Sequence, residues 1–260
     1  MIRLIFSFLF VFLVMGGSSR IVHGAIPAAQ RNALIDLYNN TGGTNWTENS
    51  NWRGDPGTEN TWYGITCDSG NNFVTEIDLR INNLSGEIPD SIGDLTDLRS
   101  LALSDNQLND EIPVSIGSLT SLQYLSLSNN ELTGGIPAEI GDLSELTYLS
   151  LSNNQLVGTI PDNIGNLESL TILLISNNRL QGQIPEEIKL LTNLIDDRSD
   201  FRYNNFSTTV SDGLQTFLDR KQTGGNWEAS QGSTDNGTST PLAGDDDSSC
   251  FLRSISRSTE

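Results

Sequence analysis

A 24-residue period runs through the middle of the sequence, with consecutive units beginning at Val74, Leu98, Leu122, Leu146 and Leu170. Counting each first residue as position zero, apolar residues recur at positions 3 and 5: Ile77 and Leu79, Leu101 and Leu103, Leu125 and Leu127, Leu149 and Leu151, Leu173 and Ile175. One polar residue between two apolar ones is the signature of a short strand with one buried face. Position 8 is always Asn (Asn82, Asn106, Asn130, Asn154, Asn178), and position 15 is always Pro, from Pro89 to Pro185. Agreement at this many offsets restricts the chain to a stack of similar coils, because a single coil cannot bury its own apolar edge.

The strands of such a stack align as a parallel sheet with a spacing of about 4.8 Å. Past each strand the chain bends and leaves backbone groups facing inward. A side-chain amide both donates and accepts, so the five asparagines are expected to form a structural ladder from coil to coil. Proline suits the opposite side, where no regular ladder needs its missing N–H. Glycines at positions 12 and 19 are expected at bends or at close approaches between coils. Two residues break that pattern, Asp110 at position 12 and Lys189 at position 19.

Units such as Leu146 to Ser169, LTYLSLSNNQLVGTIPDNIGNLES, resemble the plant-type leucine-rich repeat of receptor-kinase ectodomains and polygalacturonase-inhibiting proteins. The resemblance covers residues 74–193. It implies a repeat solenoid of α+β class, a curved right-handed coil with a concave parallel β-sheet and helical caps at both ends. The WYGITC segment, Trp62 to Cys67, is similar to the end of plant repeat caps, but Cys67 stands alone where those caps pair cysteines. The cap plus repeats looks closer to secreted bacterial proteins carrying plant-like repeats.

The flanks read as follows. Residues 1–24 have the pattern of a signal peptide, with Arg3 ahead of the apolar run Leu4 to Met15 and a cut expected near Gly24. Residues 25–73 are expected to be an amino-terminal cap, with a helix over Pro27 to Tyr38 and a core of Trp46, Trp52 and Trp62. Residues 194–229 read as a degenerate sixth unit, with Asn204 at the ladder position, followed by a helix N-capped by Ser211 and by Trp227 folding back. Residues 230–260, rich in Ser, Thr, Gly and Asp, are expected to be a flexible tail carrying Cys250. The expected location is secreted or at the cell surface, and no segment reaches transmembrane length.

Charge and composition narrow the function. A net charge of −19 argues against nucleic-acid partners. The single His, His23, would leave with the signal peptide, so neither a His-based triad nor a multi-His metal centre is expected, and no cofactor is implied. Of the 17 acids between residues 74 and 193, 12 fall at positions 13 to 23, away from the sheet. They are expected to serve solubility.

The face open to a partner is set by strand positions 2, 4, 6 and 7. Tyr124, Tyr148 and Ile172 at position 2, joined by Leu174 at position 4, are expected to form an exposed apolar stripe, with Arg179, Arg198 and Arg202 at its carboxyl-end margin. Ser at position 6 reads as a structural default. The sequence therefore points to a binding scaffold without catalytic residues, whose concave face takes a protein or a polysaccharide. Resemblance to polygalacturonase-inhibiting proteins implies an alternative, inhibition of secreted hydrolases. Glu76 and Asp78 on one strand face leave a remote alternative of glycosidase chemistry.

Overall fold

The structure, a computed structural model, describes residues 25–224 and 226–232. The expected signal peptide, nearly all of the expected tail and Cys250 lie outside these residues. Within them the chain forms a curved solenoid. Its main sheet contains the parallel strands Val74–Asp78, Ser100–Ala102, Tyr124–Ser126, Tyr148–Ser150 and Ile172–Leu174. Glu76, Ser100, Tyr124, Tyr148 and Ile172 are direct neighbours across it, so the strands pair at one repeat length without slippage. Positions 3 and 5 point inward and are buried throughout.

The asparagine amides bond as donors and acceptors together. Asn130 donates from Nδ2 to the carbonyls of Leu103, Leu127 and Ser128 and accepts the Leu108 N–H on Oδ1. Asn106, Asn154 and Asn178 repeat this with their own neighbours, and so does Asn204 with the carbonyls of Ile175, Phe201 and Arg202. Asn82 has the cap below it, and there its amide brackets Glu48, accepting the N–H and donating to the carbonyl.

On the convex side every repeat proline precedes a short 3₁₀ turn: Asp90–Asp94, Val114–Ser118, Ala138–Asp142, Asp162–Asn166 and Glu186–Leu190. The two glycine positions differ in cause. Position 12 requires a left-handed backbone, which Asp110 also adopts at φ 62°. At position 19 the next coil is too close for a side chain: a Cβ on Gly141 would lie 2.4 Å from the Asn163 carbonyl oxygen. Lys189 is tolerated because the element following it in the stack is a full α-helix rather than another 3₁₀ turn.

At the amino end, helix α1 (Ala28–Asn40) begins directly after Pro27. Gln30 ties it to the repeats, accepting the Val74 N–H and donating to Asp97. Tyr38, Trp46, Trp52 and Trp62 pack ring to ring below it, with successive tryptophan centroids about 5 Å apart (4.9 and 5.1 Å). Arg31 lies over Trp62 and is paired with the buried Glu59. A strand unmarked by the repeat period, Ile65–Cys67, runs antiparallel to Val74–Asp78 and covers the sheet edge.

At the carboxyl end, Leu174 bridges in parallel to Asp200, and Ser199 bridges to Gln222, so a sixth coil continues the sheet. Helix α2 (Asp212–Lys221) replaces its 3₁₀ turn, with the Ser211 hydroxyl accepting the Leu214 N–H. Leu214, Leu218 and the fully buried Trp227 close the core. Lys221 is also buried in this cap, donating to the Leu194 carbonyl and to Asp196.

Candidate functional site

The concave face is a grid whose rows follow from the repeat. Row 2 reads Glu76, Ser100, Tyr124, Tyr148, Ile172 and row 4 reads Asp78, Ala102, Ser126, Ser150, Leu174. Row 6 is Arg80, Ser104, Ser128, Ser152, Ser176, and row 7 is Ile81, Asp105, Asn129, Asn153, Asn177. Through the Leu174–Asp200 bridge the sixth coil adds Asp200, Arg202 and Tyr203 to rows 4, 6 and 7.

Three site expectations are corrected by this geometry. The stripe is not exposed: Tyr124, Tyr148 and Leu174 retain 4%, 8% and 6% of their accessible surface, and with Ala102 they form a second apolar cluster against which the partly buried Ile172 packs. In-register strands bring the tyrosine rings into a stack, with centroids 4.5 Å apart and planes 10° from parallel, so each covers the other. Arg179 is exposed but lies off this face. It follows the turn at Asn178 and belongs to the strand Arg179–Gly182, which pairs with Val157–Gly158 in a smaller lateral sheet. Arg202 is on the face, yet it frames no open margin: its guanidinium is held by Asp200 and lies 5.6 Å from the centroid of the Tyr203 ring.

What the arrangement offers is a trough. Its floor is the small side chains of rows 4 and 6, where Ser176 donates to Ser152 at 3.0 Å and the hydroxyls of Ser126 and Ser128 lie 3.5 Å apart. The tyrosine stack forms one wall. The other carries an outer amide ladder, in which Asn129 donates to Asp105 at 2.9 Å and Asn153 to Asn129 at 2.7 Å. Row 7 is left-handed from Ile81 to Asn177, which suits Asn and Asp.

The ends of the trough are closed by ion pairs that the reading of the repeats overlooked. Arg80 donates from Nε and Nη2 to Asp78 at 2.8 and 2.7 Å, and Arg202 does the same to Asp200 at 2.9 and 2.8 Å. The signal was available as the near-identical strings DLRINN and DFRYNN at Asp78 and Asp200. Burial, and next the Asp78 charge, push the Glu76 carboxyl above the usual range. Asp78 is committed to Arg80, so Glu76 and Asp78 are not a free carboxylate pair. Among the described residues no cluster of three or more His, Cys, Asp or Glu side chains is arranged to hold a metal ion, and no helix is long and apolar enough to cross a membrane.

Comparison with known proteins agrees with this architecture. Leucine-rich repeat family models match residues 72–132, 120–166 and 169–191. A nodulation receptor kinase of Pisum sativum is 42% identical over 55 residues, which make up 20% of this chain but 6% of that protein. Among solved structures, the ectodomain of the Arabidopsis thaliana receptor kinase GASSHO1/SCHENGEN3, in complex with Casparian strip integrity factor 2, is 31% identical. It superposes at a TM-score of 0.66 over 73% of this chain and 23% of its own. A chain of the Arabidopsis thaliana BIR3–SERK2 complex is 33% identical at a TM-score of 0.53, with 70% of this chain and 93% of that one covered. This chain thus spans about a quarter of the larger receptor and nearly all of the smaller one. With the period, the asparagine ladder and these matches in agreement, the chain belongs to the leucine-rich repeat family.

Proposed function

We propose that the protein is an extracellular scaffold that binds a polypeptide partner in its concave trough and catalyses no reaction on it. The observation that carries this reading is the pre-organised state of the trough. The tyrosines are stacked, the floor hydroxyls and wall amides are bonded in register, and both end arginines are held in two-point ion pairs. Side chains already fixed lose little freedom when a partner arrives, so contact area converts to affinity more fully. A strip edged by stacked tyrosines beside hydroxyls and side-chain amides has the composition that polypeptide interfaces favour. Two of the similar structures are complexes, one with Casparian strip integrity factor 2 and one between BIR3 and SERK2. An extracellular location is supported by the similarity to the GASSHO1/SCHENGEN3 ectodomain and by the signal-like amino-terminal sequence.

The test immobilises the folded chain and exposes it separately to extracellular proteins and to a polysaccharide panel. The expected result is a protein retained by the wild type and lost from Ser128→Arg and Ser152→Arg, which fill the trough from its floor. Equal retention by the variants would remove the concave face from the reading. Polysaccharide retained in place of protein would favour a glycan scaffold, and release of reducing ends would make the protein an enzyme.

A further inference from the structure

The first and sixth coils carry the same surface chemistry on the concave sheet, and the four coils between them do not. Asp78, Arg80 and Ile81 at one end correspond to Asp200, Arg202 and Tyr203 at the other, whereas the intervening coils place Ser at the arginine position. Both arginines are locked flat by the aspartate two residues before them. Both residues that follow are left-handed, Ile81 at φ 52° and Tyr203 at φ 56°.

The intervening coils fill that left-handed position with Asp105, Asn129, Asn153 and Asn177, side chains that tolerate it. A β-branched isoleucine does not, because its Cβ substituents crowd the backbone there. Packing gives no compensation: Ile81 is 76% exposed, the most exposed of the large apolar side chains among the described residues. An exposed residue held in a strained conformation without a packing role points to a contact made with something else.

We propose that Ile81 beside Arg80, and Tyr203 beside Arg202, are the two anchor points of the trough, and that they determine its specificity for an extended polypeptide segment bearing an apolar side chain at each end. This rests on the concave-face reading above. Six coils give five intervals of about 4.8 Å, or about 24 Å between anchors. An extended chain rises about 3.4 Å per residue, so the segment between the anchors is about seven residues long. Its apolar ends pack on Ile81 and on the Tyr203 ring. Its central side chains are small, because the floor lies against the tyrosine wall.

Two measurements on the full chain test this. First, Ile81→Asn places at the left-handed position the residue used by three inner coils, and its thermal midpoint is expected to rise by a few degrees. A lower midpoint would show that Ile81 serves the fold and would overturn the proposal. Second, a displayed library of random twelve-residue peptides is panned on the wild type, and retained peptides are measured against Ile81→Asn, Tyr203→Asn and Tyr148→Ala. The expected result is peptides with two bulky apolar residues about six to eight positions apart, weakened at least tenfold by each anchor substitution. Peptides weakened by Tyr148→Ala but unchanged within twofold by both anchor substitutions would overturn the anchors and leave the concave reading standing. A library that yields no peptide, or only peptides indifferent to all three substitutions, would overturn both.

Discussion

The rings of Tyr124 and Tyr148 stack 4.5 Å apart across neighbouring strands, each shielding a face that the other would otherwise leave to water. The pair is therefore a structural element of the concave wall. Tyr148→Ala strips the cover from Tyr124 and from Leu174, and the expected loss is about 1.5 to 3 kcal/mol of stability, the worth of keeping a large apolar side chain from water. Denaturant unfolding of both single variants and the double variant measures it. A coupling of about 0.5 to 1.5 kcal/mol is expected between the two rings, and additive losses would show that the stack is incidental.

The ladder asparagines are not equivalent. Asn130→Ala leaves the carbonyls of Leu103, Leu127 and Ser128 and the Leu108 N–H without their side-chain partner. Stranding buried polar groups should lower stability by about 1 to 3 kcal/mol. Asn82→Ala severs the bonds to Glu48 instead, so its damage should appear as amino-terminal cap loosening. Hydrogen exchange separates the two: protection lost around residues 103–130 in the first variant, and around residues 47–50 in the second.

Glycines at the two recurrent positions fail differently on substitution. Gly141→Ala drives a Cβ to within 2.4 Å of the Asn163 carbonyl oxygen, backbone that cannot swing aside, and overpacking of this kind costs about 1 to 3 kcal/mol. Gly135 lies outside both positions, its φ is ordinary and its nearest obstacle is the Val157 carbonyl oxygen at 3.8 Å. Gly135→Ala should therefore be neutral or stabilise by about 0.4 to 1 kcal/mol through the unfolded chain. Thermal melts of the two variants should move in opposite directions or leave Gly135→Ala unmoved.

The solenoid was legible because its requirements recur. Inward leucines, turn prolines and ladder asparagines are imposed by chain geometry once per coil, and they stand at fixed offsets in the sequence. Exposure on the concave face was not legible in the same way. Alternation says that Tyr124 and Leu174 leave the core, but whether they meet water depends on what the next strand places beside them. Arg179 misled for a related reason: one residue past the ladder asparagine the chain has already turned into the lateral sheet, so nearness in sequence to the strand did not mean a shared face. The end clamps were readable as paired strings, yet they depart from the repeat, and a search for what recurs passes over them.

Glu76 should give the fold a pH dependence of definite sign. Burial, and then Asp78, raise its carboxyl above the ordinary value of about 4.5, so the folded state holds this proton more tightly than the unfolded one. The associated stability is present below the unfolded value and is lost as pH rises through the folded one. Glu76→Gln removes the charge that is disfavoured at neutral pH. Its melting temperature should exceed that of the wild type at pH 7.5, with the gain shrinking as the pH falls towards the ordinary value of about 4.5 and absent well below it. A gain constant across that range would place the cause elsewhere.

Cys67 sits half-buried on the strand that covers the sheet edge, beside Glu59 and Asp68, and its thiol is pushed up to about 11 by burial first and by those two carboxylates next. Only the thiolate is nucleophilic, so at pH 8 about one thiol in a thousand is reactive. In a Cys250→Ser background, the alkylation rate with iodoacetamide should rise about tenfold per pH unit from 8 to 10 without levelling, whereas an ordinary cysteine approaches its plateau near pH 9. Urea should abolish the difference by exposing the side chain and separating it from the carboxylates. A plateau at or below pH 9 in the folded protein would mean that the thiol is solvated, and that the strand Ile65–Cys67 does not seal the edge of the sheet as the structure shows.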